Sequence, residues 1–201
     1  MEFNLKTKFK PELLLLFSFV LSLLFTLPTL ALPKAIILLR HAEKPEDSND
    51  PNLSPRGWER ARALPRIFTE NIELKKLGPP DFLYGAGQEK VTSSVRSIQT
   101  LQFVGEIFKL DVHQNYKRDS YMSLIHDINT NTLFDEKIIV ICWQHEILTD
   151  FLNGFGIPQI IRYPKKIFDR IWLITYDNTV SENKATFKDM PQLLLTGDSS
   201  Q

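Results

Sequence analysis

The stretch "AIILLRHAEKP", residues 35–45, decides how this chain is read. Ala35 to Leu39 is a short, continuous apolar run, the pattern of a strand buried on both faces. It stops abruptly at Arg40 and His41, and Glu43 and Lys44 follow. The apolar part belongs in a core. Polar groups gathered at its end belong where something is bound.

Outward from that stretch the chain alternates strand with helix. Residues 46–52, "EDSNDPN", form a polar, turn-rich loop. A helix is expected from Ser54, with Pro55 at its first position, through Trp58, Ala61, Leu64 and Phe68; Pro65 disturbs its last turns. Asp81-Phe82-Leu83-Tyr84 reads as a second strand ending in a Gly-Ala-Gly turn. Ser93 or Ser94 is placed to cap a helix running to about Phe108, with Ile98, Leu101 and Val104 along one face. Ile138 to Trp143 is the strongest strand signal, followed by a helix from about His145 to Leu152. Ile171 to Tyr176 is a further strand, and the region around Ala185–Leu195 adds a last one. The alternation predicts an α/β fold, a three-layer α/β/α sandwich around a mostly parallel sheet, in one domain over residues 32–201. In such sheets ligands gather beyond the carboxyl ends of the strands.

Composition narrows the function. Lys+Arg and Asp+Glu both number 24, so no overall field favours nucleic acid, and any anion site must be local. The single cysteine, Cys142, excludes an internal disulfide and a Cys-based metal cluster; inside an apolar strand it reads as a small buried hydrophobe. The first residues differ in kind. Lys6, Lys8 and Lys10 precede an uncharged run from Leu13 to Phe25, Pro28 breaks it, and Thr29-Leu30-Ala31 offers small residues to a signal peptidase. Residues 1–31 therefore read as a secretory signal peptide and the protein as exported, periplasmic or secreted. The alternative is an uncleaved membrane anchor, since the uncharged stretch to Pro33 is just long enough to span a bilayer.

Three segments place polar residues at one sheet edge. Arg40-His41 follows the first strand, Arg96 lies in the helix after the second, and His145 follows "KIIVICWQ" at the start of the next helix. Two guanidinium groups and two imidazoles suit a dianionic oxyanion such as phosphate, because an arginine fork matches two of its oxygens. Helix N-termini near Arg96 and His145 would add N–H groups and a favourable dipole. Lys44, Arg56 and Arg60 are either an extended positive rim or a solvated face. His113 and His126 match no pattern and read as structural or exposed.

In "LLRHAEKP", "LSPRGWERA", "SSVRSIQT" and "IIVICWQHE", in that order, the chain resembles the histidine phosphatase (phosphoglycerate mutase-like) superfamily, as a small member without a large cap domain. The resemblance implies a phosphoglycerate mutase-like fold and a phosphatase that hydrolyses phosphomonoesters through a phosphohistidine, with no metal and no cofactor. His41 would be the nucleophile, its second nitrogen held by a backbone carbonyl, and Arg40, Arg96 and His145 would bind the phosphate. Glu146 ranks first as proton donor and Glu43 second. Third come the acids of segment 109–136: Asp111, Asp119, Asp127, Asp135 and Glu136. The substrate would be a phosphorylated small molecule or a phosphoprotein. Two alternatives stay open: a phosphoryl-transfer mutase, and a non-catalytic member that binds phosphorylated or sulfated ligands. Ala42 stands where the superfamily more often has glycine, and Trp143 where a smaller residue is common; the indole either lines the pocket or packs beneath the sheet.

Overall fold

A computed structural model describes residues 32–47, 49–158, 161–177 and 184–199. The leader expected over residues 1–31 lies outside the described residues. Among those described, no helix is long and apolar enough to cross a membrane.

Among the described residues six strands form one sheet: β1 (Ala35–Arg40), β2 (Phe82–Gly85), β3 (Val112–His113), β4 (Ile138–Trp143), β5 (Arg170–Asp177) and β6 (Lys184–Pro191), in the order β3-β2-β4-β1-β5-β6. β1 pairs in parallel with β4, as β2 does with β3 and β4, whereas β5 runs antiparallel to both β1 and β6. The sheet is thus mixed, with its parallel part centred on β4. The helices are α1 (Pro55–Ala63), α2 (Ile67–Glu70), α3 (Ile72–Leu77), α4 (Arg96–Phe108), α5 (Tyr121–Thr130) and α6 (Leu148–Gly154).

Every residue of β1 and β4 is buried, as an uninterrupted apolar run requires when both faces are covered. Alternation sorts them between two cores. Ile36, Leu38, Ile139, Ile141 and Trp143 face α5 and α6. Ile37, Leu39, Val140 and Cys142 face the other layer, where Leu64, Ile67 and Leu74 pack together with Leu101 and Val104 of α4. The result is the three-layer sandwich expected from the alternation of elements.

Element ends depart from expectation in instructive ways. Ser54 caps α1 through Gly57 N as anticipated, and Pro65 turns the chain into a short 3-10 segment, Leu64–Arg66, before α2. Val95 occupies the cap position of α4; Ser94 Oγ accepts from Arg96 N at 3.4 Å, and Ser93 Oγ accepts from Lys90 N within the preceding turn. Arg96 is consequently the first residue of α4. The helix after β4 begins at Leu148, so His145 sits in a tight turn closed by Ile147 N to Gln144 O (3.1 Å), not on a helix N-terminus. Segment 109–136 holds β3 and α5, whose Leu124, Ile125 and Ile128 complete one core layer. Trp143 packs beneath the sheet, edge-on to Phe151.

Candidate active site

The carboxyl ends of β1, β2 and β4 open into a cleft of about 460 Å³ lined by Arg40, His41, Lys44, Arg96, Gln144, His145 and Glu146, among others. Strand register brings them there. Arg40 pairs with Trp143 at the last rung, and His41 N donates to Trp143 O at 3.1 Å, so the two histidine-bearing turns leave the sheet side by side.

His41 is 6% exposed, and its Nδ1 lies 2.8 Å from the carbonyl of Ala42, which fixes the tautomer with the proton on Nδ1. Nε2 is left with its lone pair. Burial, together with the positive charge of Arg40 and Arg96 and the neighbouring His145, lowers the ring's pKa to about 4, so it is neutral at pH 7. The segment beneath the ring is equally fixed. Ala42 N donates to Thr100 Oγ1 (2.9 Å), whose hydroxyl donates in turn to Arg96 O (2.7 Å). The threonine of "SSVRSIQT" therefore ties the two arginine-bearing segments together. Gln99 does the same for the entry to α1, accepting from Leu53 N (2.9 Å) and donating to Asn52 Oδ1 (2.8 Å).

Backbone carbonyls aim both guanidinium groups. Nη1 of Arg40 donates to Lys165 O (2.6 Å) and Ile167 O (2.8 Å), and the group lies 3.7 Å over the Phe168 ring. Arg96 donates from Nε to Asn52 O (2.8 Å) and from Nη2 to Asp50 O. Desolvation pulls both below the ordinary arginine value, yet both stay cationic at any physiological pH. His145 Nδ1 lies 3.1 Å from Glu146 Oε2. Burial, then Arg40, pulls its pKa down against the opposing charge of Glu146.

The expected residues separate here. Glu146 lines the cleft, as does Asp119 of segment 109–136. Glu43 does not line it: its carboxylate is held by Arg60 at 2.8 Å and by Arg56 at 3.4 Å. Those two arginines bind Glu43 and Asp198, so they form no rim; Lys44 does line the opening. Sequence reading missed Arg118 and Glu89 in the lining, and the 164–168 loop that holds Arg40. Trp143 gives one reason Arg118 is there, since its indole Nε1 donates to Arg118 O at 3.1 Å. No local motif announces a contact of that sequence separation. His113 stacks on Tyr84 away from the cleft, and His126 is exposed. Among the described residues, no group of three or more His, Cys, Asp or Glu side chains is placed to hold a metal ion.

No protein-family model and no curated protein matches the sequence. Among solved structures, the chain is similar to a candidate phosphohistidine phosphatase, SixA, from Agrobacterium tumefaciens: 16% identity, TM-score 0.48, covering 78% of this chain and 97% of that one. It is also similar to the corresponding SixA candidate from Nakamurella multipartitia, with 12% identity and a TM-score of 0.45 over 77% of this chain and 93% of that one. A mycobacterial glucosyl-3-phosphoglycerate phosphatase in complex with inorganic phosphate gives 10% identity and a TM-score of 0.48 over 77% of this chain and 95% of that one.

Proposed function

We propose that the chain is a phosphomonoesterase in which His41 is the phosphoryl acceptor, as the superfamily resemblance of its motifs implies. The single observation that carries this reading is the state of His41. Its ring is buried in a cationic cleft, pinned through Nδ1, and neutral, which leaves the Nε2 lone pair as the only free donor of electrons on it. Nε2 attacks phosphorus in line, the P–N bond forms as the P–O bond to the alcohol breaks, and the leaving oxygen takes a proton. Arg40, Arg96 and His145 surround the oxygens on which charge develops. Water then attacks the phosphohistidine, releases inorganic phosphate and returns the lone pair to Nε2.

Glu146 is the proton donor of choice, because it lines the cleft and contacts His145, whereas Glu43 is committed to two arginines. Asp119 is the second acid in the lining. The protein is proposed to supply the needed positive charge from its own side chains and to be exported by its leader. An alternative acceptor alcohol in place of water would make it a mutase. The test is hydrolysis of an aryl phosphate in EDTA by the wild type and by His41→Ala. Activity is expected only from the wild type, and an undiminished His41→Ala would end the reading.

A further inference from the structure

Arg60 lies outside the cleft and is 2% exposed, yet all five N–H donors of its guanidinium are engaged. Nε and Nη2 hold Glu43 at 3.0 Å and 2.8 Å, Nη1 and Nη2 hold Asp198 at 2.9 Å and 2.8 Å, and Nη1 also reaches Gln192 Oε1 at 3.1 Å. Arg56 approaches the same two carboxylates at 3.4 Å and 3.8 Å from the solvent side, and burying such a charge cluster is costly unless it fixes something.

What it fixes lies one peptide from His41. The carbonyl accepting from His41 Nδ1 belongs to the planar unit that runs from the Ala42 Cα to the Glu43 Cα, so a displacement of the Glu43 backbone displaces that carbonyl. Glu43 is held at both ends, by Arg60 and Arg56 through its carboxylate and by Ser54 N through its carbonyl (2.9 Å). Segment 192–199 braces the other wall. Gln192 N donates to Asp169 O (2.7 Å), Gln192 Nε2 to Phe168 O (3.3 Å), and Ser199 N to Asp169 Oδ2 (2.5 Å). Phe168 lies under Arg40, with its ring 6.1 Å from that of His41. Asp198 holds the segment's own turn, accepting from Leu194 N and Leu195 N at 2.8 Å and 3.0 Å.

We propose that Arg60 and Asp198 are positioning residues for the His41 ring: through Glu43 they set the carbonyl that orients it, and through segment 192–199 they brace the Phe168 wall beside it. Only the kinetic part rests on His41 being the phosphoryl acceptor; the ring's orientation does not. The test is Asp198→Asn in the full chain, with histidine-selective nitrogen-15 labelling. The sequence has 4 histidines, and His41→Ala identifies which signals belong to residue 41. The wild type is expected to show His41 as the Nδ1–H tautomer alone. Asp198→Asn is expected to show mixed or exchange-broadened tautomers, with kcat lowered about tenfold and KM within about twofold, as for a misplaced reacting group. Unchanged His41 signals in a folded Asp198→Asn protein would overturn the proposal. If that variant does not fold, Glu43→Gln, which keeps the Arg60–Asp198 pair, is expected to mix the same tautomers, and unchanged signals there overturn it equally. A wild type without phosphatase activity would remove the enzymatic reading and leave the tautomer result to decide this one.

Discussion

Replacing Gly57 by alanine tests how tightly the loop after His41 is clamped. On helix propensity alone the change in α1 should stabilise by about 0.8–1 kcal/mol. The structure opposes it. A Cβ at residue 57 would lie 2.3 Å from Glu43 O, 3.1 Å from Glu43 N and 3.1 Å from Leu53 Cβ. Restoring ordinary contact requires a shift of about 1 Å between α1 and the Glu43 backbone. That shift breaks the 2.9 Å bond from Ser54 N to Glu43 O, worth about 1 kcal/mol, and loosens the hold of Arg60 on Glu43. Overpacking of this kind costs about 1–3 kcal/mol more. With the helix gain subtracted, the net loss is about 2 kcal/mol, or roughly 4–8 °C in Tm for a domain of this size. The same displacement moves the carbonyl that holds His41, and a reacting group misplaced by about 1 Å loses on the order of a hundredfold in rate. Urea or thermal unfolding gives the first quantity and aryl phosphate hydrolysis the second. A Gly57→Ala protein with wild-type Tm and wild-type kcat would refute the clamp.

Four further outcomes follow from the site. Because the folded pKa of His41 is about 4 against 6.5 in the unfolded chain, the unfolded state binds more protons between those values. The ring's contribution, about 3 kcal/mol, is present above pH 6.5 and lost as pH falls toward 4; His41→Gln should lack that part of the acid slope in denaturation curves taken across this window. If His145 must carry a proton to bind phosphate, its lowered pKa places the falling limb of kcat/KM below pH 6.5, and a rate still climbing above pH 8 would contradict that role. Trp143→Phe removes the donor to Arg118 O and leaves a gap against Phe151 where the buried indole packed, so it should lower Tm by several degrees and raise KM several-fold as the rim loosens. Cys142 is fully buried, with its thiol pushed up to about 12, so it should be inert to a thiol reagent in the folded protein and react only on unfolding.

Much of this fold is legible in short-range pattern. The apolar runs at 36–39 and 138–143 are strands because nothing polar interrupts them, and alternation then sorts their side chains between two helical layers. Ser54 and Pro55 mark a helix start by rules that need only neighbours in sequence. Arg40, His41, Arg96, His145 and Glu146 stand out as polar residues just past apolar strands or at a helix start, and the parallel register of β1, β4 and β2 brings them to one cleft. What escaped depends on distant partners. Glu43 looks like a second acid until Arg60 and Arg56 are found on it. Arg60 looks like a solvated helix cation until Asp198, far along the chain, folds back to meet it. Of the two serines before Arg96, Ser94 does accept from the first N–H of α4, whereas the turn at 90–93 uses Ser93 for itself. α5, by contrast, is legible without distant partners, since Tyr121, Leu124, Ile125 and Ile128 stand at i, i+3, i+4 and i+7, the spacing of one helix face, and the last three close a core layer.

A phosphoryl group carried on His41 can be trapped. Wild-type protein mixed with an excess of phosphorus-32-labelled aryl phosphate, quenched in alkali after milliseconds and digested, is expected to carry its label on the peptide containing His41. The label should disappear on brief acid treatment and be absent from His41→Ala. Label on a peptide without His41, or rapid hydrolysis with no trapped phosphoprotein at any quench time, would contradict the account.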